Sequence, residues 1–198
     1  MLRLILSIAG AILAIVAASS YIKYILRGDV KPHRVTWGGW TFAGVLGLLS
    51  SSEGGAGVGL IVTSVFVVLV AIIFALSLSS KYGKPGGKPW EYIAGIIAAL
   101  ALITRLFVNY SPAVSATIAV AADTVFFWPT LKGAWLHPEL EERRPWVIGA
   151  IAEVLGIAAL GNYSYSASVY SFYILVVNFM IIYALTYTPH RKKKRQVS

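Results

Sequence analysis

Residues 58–78 read VGLIVTSVFVVLVAIIFALSL, a run without one charged side chain. A transmembrane helix needs about 20 mostly apolar residues to cross roughly 30 Å of hydrocarbon, and this run supplies them. Outward from it, six further runs read the same way: 2–26, 35–52, 90–108, 112–131, 145–160 and 167–187. Those at 35–52 and 145–160 are short. The separators are turn-like, among them SSEGGAG at 51–57, SSKYGKPGGKP at 79–89 and GNYSYS at 161–166. Of the 198 residues, 58% are apolar and 13% charged, with a mean hydropathy of +0.74. That charge is about half the share of a soluble domain, and a soluble protein of this size could not hide so much apolar surface. A soluble globule, a disordered chain, a collagen-like fibre and a disulfide scaffold are excluded together. There is no Cys, so there is no thiolate metal site either. The expected class is an all-α integral membrane protein of seven transmembrane helices.

The net charge of +9 suggests nucleic acid until the basic residues are placed. They alternate. Lys23, Arg27, Lys31 and Arg34 follow the first run; Lys81, Lys84 and Lys88 follow the third. Lys132, Arg143 and Arg144 follow the fifth, and five more at 191–195 follow the seventh. That is 15 of the 17 Lys and Arg, with only Arg3 and Arg105 on the other side. The positive-inside rule then puts the N-terminus outside a cell membrane and the C-terminus in the cytoplasm. The tail cluster reads as a stop-transfer signal that touches anionic lipid. Arg3 before an apolar run also fits a secretory leader with a cleavage region at 17–20. The run is long for a leader, and the repeat below needs it retained.

Sliding the sequence on itself by 109 residues aligns 16–77 with 125–186 without a gap, with 14 identities in 62 positions. Chance at this composition gives about four or five. The polar and aromatic matches carry most weight: Lys23 with Lys132, Arg34 with Arg143, Trp37 with Trp146. Runs one to three thus match runs five to seven, and run four is the inversion linker. Since the linker itself crosses the membrane, the triplets are parallel, a 3+1+3 plan in which two like bundles flank a central path. The expected units are a first triple-helix bundle at 1–80, a linker helix at 81–110, a second bundle at 111–188 and a basic tail at 189–198.

Pro129-Thr130-Leu131-Lys132 ends run five, and Ser20-Tyr21-Ile22-Lys23 is its degenerate copy in the first triplet. With the 3+1+3 plan, this Pro-to-Lys spacing resembles the SWEET/MtN3 and PQ-loop transporter group, as a divergent member of bacterial type. Thr130 stands where the motif has Gln, and the first copy lacks its Pro. The resemblance implies transport of a small polar solute, often a sugar, by rocking of two triple-helix bundles. It also implies a solute held by an Asn on span seven, here Asn178, and by Trp on span two, here Trp40. Leu69 stands where the family has a second Asn.

Ionisable side chains at mid-bilayer cost several kcal/mol, so each one is a functional candidate. Asp123 lies roughly 16 Å into run five, Glu153 roughly 12 Å into run six and Asn178 roughly 16 Å into run seven. The second triplet therefore carries one strongly polar group per helix at a common depth. Its counterparts in the first triplet are Ala14, Gly44 and Leu69, with Trp40, Thr63 and Ser64 nearby. The expected solute-binding set is Trp40, Ser64, Asp123, Glu153, Tyr173 and Asn178. An acid that gains and loses a proton at the solute's level is what proton coupling requires, and Asp123 and Glu153 are the candidates. The bland alternative is an interhelical hydrogen bond that fixes packing. Pro129 should free the carbonyl of Val125 and bend run five, suiting a gate or a static kink alike. Tyr163, Tyr165, Tyr170 and Tyr173 read either as the lining of an outer vestibule or, for most of them, as an interfacial belt, as do Trp37, Trp90, Trp135 and Trp146. Glu53 reads as a solvated loop residue and Glu91 as a helix-dipole partner.

No enzyme reading survives. His33, His137 and His190 fall in the basic segments without ligand spacing, so no metal is expected. An intramembrane aspartyl protease needs two embedded Asp, and Asp29 lies in a loop. A Ser–His protease would need an embedded His, and a rhodopsin a Lys in run seven. The glycines at 54–57 follow no strand and make no phosphate loop. The expectation is a transporter without a cofactor, whose partners are a small polar solute and the lipid bilayer. Self-association stays open, and nucleic acid is not a partner. The alternative is a non-transporting receptor or assembly module that kept such a fold and lost the path.

Overall fold

The computed structural model describes residues 1–85, 88–108 and 110–197, with the side chains at 90, 91, 94 and 188–197 not included. Trp90, Glu91, Asn109 and the basic tail at 191–195 thus lie outside the described side chains. Seven α-helices follow one another: α1 (Leu2–Arg27), α2 (Arg34–Glu53), α3 (Leu60–Ser77), α4 (Pro89–Phe107), α5 (Pro112–Leu136), α6 (Arg143–Ala158) and α7 (Tyr165–Val197). Among the described residues there is no strand, only an isolated bridge between His33 and Lys84. The ends follow local chemistry. Gly28 takes a φ of 84° after α1, where its N–H reaches the carbonyl of Ile25 and the next N–H that of Tyr24. Ser111 caps α5 by accepting from the N–H of Val114 at 3.4 Å, and Pro112 occupies the first turn, where no N–H is needed.

Among the described residues, four helices are long and apolar enough to cross a membrane: Leu2–Arg27, Gly57–Ser77, Pro112–Leu136 and Tyr165–Tyr187. The others are more polar or shorter. α2 is rich in Gly and Ser, α6 has 16 residues, and the apolar part of α4 is Gly95–Phe107. Every predicted run coincides with a helix, but α5 runs five residues past its expected end at 131 and α7 ten past its expected end at 187. Pro129 sits inside that helix and does not end it.

Large apolar side chains cover the outer surface, while ionisable groups are buried within an otherwise apolar core. Ile5, Ile8, Ile12 and Ile15 on α1, and Ile93, Ile96, Ile97, Leu100 and Ile103 on α4, are exposed. Asp123, Glu153, Asn178 and Arg105 are buried. Water selects the reverse arrangement; hydrocarbon selects this one. The chain is a membrane-embedded helical protein.

Loops gather at alternate ends. At the basic end, Arg34 donates its N–H to the carbonyl of Lys84 at 3.1 Å and its Nε to that of Ser77 at 2.7 Å. At the opposite end, the Gly161 N–H reaches the Ala56 carbonyl at 2.8 Å and Ser50 Oγ donates to the Pro112 carbonyl at 2.7 Å. The helices therefore run alternately up and down. α3 lies against both α1 and α2, and α7 against both α5 and α6. α1 packs along α6 as α2 packs along α5, and α4 rests mainly on α2.

Arg105, 8% exposed, pairs with Glu53 at the end of α2. Its Nε donates to Ser115 Oγ at 2.9 Å, and the guanidinium lies over the Tyr110 ring. Glu53 is therefore the partner of a buried cation, while its own side chain stays exposed to solvent as expected. Glu53→Ala strips that cation of its charged partner. The expected loss is about 2 kcal/mol, the scale of a hydrogen bond to a charged group. A melting curve in detergent checks it, and an unchanged midpoint would show that the pair carries nothing.

Candidate functional site in a helix-lined cavity

Among the described residues, six helices, all but α4, contribute to a cavity of about 130 Å³. On α2 the lining residues Trp37, Trp40 and Gly44 recur at i, i+3 and i+7, so one helical stripe faces the space. On α6, Trp146, Gly149 and Glu153 make the same stripe with the same spacing. Each α6 residue stands 109 positions after one on α2, and Asn178 on α7 stands 109 after Leu69 on α3, which also lines the space.

Asp123 on α5 is 1% exposed and Glu153 is 2% exposed. The Tyr170 hydroxyl donates to Asp123 Oδ2 at 2.9 Å, while Asp123 Oδ1 is buried with no partner. Trp40 Nε1 and the Tyr173 hydroxyl lie beside this carboxyl, and neither completes a hydrogen bond. Ser171 lies next to Glu153. Asn178 spends its Nδ2 on the Ile174 carbonyl of its own helix at 2.8 Å. Its Oδ1 lies where Gly149 has no side chain; a Cβ there would stand 3.2 Å away.

Four rings line the cavity together towards the basic end. Their centroids are 5.2 Å apart for Tyr21–Trp37 and Trp37–Trp40, and 6.2 Å for Trp40–Trp146 and Tyr21–Trp146. Edge-to-face pairs at such spacings suit the aromatic quadrupole. Beyond them, in the α5–α6 loop, Glu141 accepts from the Tyr21 hydroxyl at 3.3 Å and from Trp146 Nε1 at 3.4 Å. Burial pushes the Glu141 carboxyl up to about 7, against the opposing pull of those two hydrogen bonds and of the Lys84 charge. The folded protein then holds a proton that the unfolded chain has lost between its ordinary range and about 7. Stability from this group falls as pH rises through that window and is fully lost above it. Glu141→Gln should flatten the pH dependence of the melting temperature between mildly acidic and neutral pH. Parallel curves for the two proteins would refute this.

Of the expected solute-binding set, Trp40, Asp123, Glu153 and Asn178 line one cavity. Ser64 is half-buried and does not line it, because the adjacent Thr63 takes the inward position on α3. Tyr173 is not in the lining and instead stacks on Tyr170 at 6.3 Å, its hydroxyl beside Asp123. Pro129 lies towards the end of α5, half-buried and off the cavity. Trp37, Trp146 and Tyr170 are buried in the cavity wall, which corrects their reading as belt residues. Depth along a helix suggested the belt, but azimuth decides, and these rings point inward. Trp135, in contrast, is exposed and stacks near Tyr183 and Tyr187. Tyr21 and Glu141 were not singled out beforehand. The pairing of Trp37 with Trp40 on one helical face was the available signal for the aromatic ring, and nothing in the loop distinguishes Glu141 from Glu139 or Glu142.

No protein-family model, no curated protein and no solved structure matches this chain.

Proposed function

We propose that this chain is a carrier for a small polar solute, working by alternating access between a triplet α1–α3 and a triplet α5–α7, with α4 as their link. One observation carries the reading. Asp123, Glu153 and Asn178, from three different helices, all line a single cavity together with Trp40. A bundle held together by packing alone has little reason to gather such costly groups around a shared space. The repeat reading gains support from the pairing of helices, α1 with α6 as α5 with α2, and from four lining pairs 109 residues apart. In the proposed orientation the basic end faces the cytoplasm. Tyr21–Glu141 and Trp146–Glu141 then form the cytoplasmic closure, and Glu53–Arg105–Ser115 ties α2, α4 and α5 at the outer face. Rocking must break one set while the other holds. A sugar is the solute class that the family resemblance suggests. An acid beside the solute can also exchange a proton in each cycle, so that a pH gradient drives uptake.

The test is counterflow into proteoliposomes with labelled sugars, amino acids, amines and nucleosides. Exchange of one class above protein-free vesicles is expected. No exchange by protein that is folded and reconstituted would overturn the carrier reading and leave a membrane module without a path. Flux that ignores an imposed pH gradient would remove proton linkage alone.

A further inference from the structure

A groove of about 290 Å³ opens between α1 and α6, near the basic end of the bundle. Val16, Ser19, Ser20 and Lys23 line it from α1, and Arg144 and Ile148 from α6. Helical spacing explains the set: 16, 19/20 and 23 are successive turns of one face, and 144 and 148 are one turn apart on the other. Two cations and two hydroxyls thus meet beside two apolar side chains, and among the described residues the lining holds no acid. None of the four polar side chains has a hydrogen bond or ion pair with a described residue. Other cations at this end are engaged, Arg34 on the Ser77 carbonyl and Arg143 on Thr186 Oγ1 at 3.2 Å. Arg144 stands in the first turn of α6, which contains no acidic side chain. The helix dipole disfavours a cation there, and an anion beside it removes the penalty.

The repeat supplies a comparison. The same positions 109 residues away, on α5 and α2, are Val125, Trp128, Pro129, Lys132, Val35 and Gly39. One cation recurs there and no hydroxyl. The positive-inside rule asks for cations at this end, but not for a second cation and two hydroxyls facing one groove. The surroundings select the source of the anion. Ile12 and Ile151 continue the two lining faces towards mid-bilayer, and both are exposed. A free ion has no use for such a ridge, whereas an acyl chain buries apolar surface against it. We infer that this groove holds an anionic phospholipid, its phosphate between Lys23 and Arg144 and an acyl chain along Val16, Ile12, Ile148 and Ile151. Arg144 offers phosphate a planar fork, Lys23 a point charge, and Ser19 and Ser20 two hydroxyl donors. This needs only a membrane-embedded chain and does not rest on the carrier reading.

The experiment is native mass spectrometry of the full chain, released from detergent micelles that carry dioleoyl phosphatidylglycerol or dioleoyl phosphatidylcholine. One phosphatidylglycerol per chain is expected to be held at least about tenfold more tightly than phosphatidylcholine. Each Lys or Arg near an anionic lipid contributes a factor of about five, so Lys23→Gln with Arg144→Gln should weaken retention about 30-fold. Lys132→Gln, at the counterpart cation, should leave retention unchanged. Ser19→Trp keeps every charge, places in the groove the residue type found at 128, and should exclude the lipid. All four positions are exposed, so the variants should keep the fold. Equal retention of the two lipids would overturn the inference. So would parental retention by Ser19→Trp or an equal loss in Lys132→Gln, since both signal diffuse charge rather than a built groove. Displacement of the lipid by an equal concentration of glycerol 3-phosphate would also overturn it, by making a free phosphate ester the ligand.

Discussion

Gly39→Leu is expected to yield no folded, monodisperse protein, while Gly133→Leu should fold and melt near the parent. A Cβ at Gly39 would stand 2.1 to 2.4 Å from three atoms of the Phe126 ring, where carbon atoms need about 3.5 to 4.0 Å. Phe126 is itself buried to 2% exposure, so its ring has no vacant space to enter. The next positions along the same face repeat the demand. Ala43 is fully buried, and a Cβ at Gly47 would come within 2.4 to 2.7 Å of the Tyr170 ring. Small residues spaced by four let helices approach closely where no hydrophobic effect drives them together. Here they let α2 seat a phenyl from α5 and a phenol from α7. Even Gly39→Ala should cost about 1–3 kcal/mol by overpacking. At Gly133 nothing lies within 4 Å of the built Cβ. Size-exclusion chromatography and circular dichroism read the difference. A Gly39→Leu protein that melts like its parent would mean that the seating of Phe126 on α2 is not what holds α2 to α5.

That face also marks how far the sequence could be read. Apolar runs located the helices because residues that face hydrocarbon are apolar along a whole helix length, and four of the helices are long and apolar enough to cross a membrane. The end of α5 was misjudged. Lys132 reads as a loop residue, yet a Pro costs one hydrogen bond and a clash at Pro129 without forcing the chain out of the helix, and the helix continues to Leu136. Depth gave Asp123, Glu153 and Asn178 a common level, since rise per residue is a property of one helix. Which way each side chain faces depends on its neighbours' packing, and the outward reading of Trp37 and Trp146 failed for that reason. Gly39, Ala43 and Gly47 were legible as a small-residue stripe and were passed over. Glu141 was not legible, because its burial comes from Tyr21, 120 positions away.

Tyr170→Phe should leave the fold standing and cut solute exchange by about 10- to 100-fold. The ring performs two tasks that this substitution separates. Its face fills the notch left by Gly47, and its hydroxyl donates to Asp123 Oδ2 at 2.9 Å. Phenylalanine keeps the first and removes the second. Both carboxylate oxygens are then buried without a partner, since Oδ1 has none already. Hydrogen bonds to charged groups are worth roughly 1.5–3 kcal/mol, which sets the expected fall in rate if Asp123 must be held in one orientation for the solute. Tyr170→Ala, by contrast, empties the notch as well and should lose the folded state. A double-mutant cycle isolates the contact: in an Asp123→Asn background Tyr170→Phe should have little further effect, because the charge it served is gone. Additive losses in the two variants would show that the hydroxyl acts elsewhere. Wild-type exchange by Tyr170→Phe would show that Asp123 needs no positioning and that Tyr170 serves the cavity only as packing.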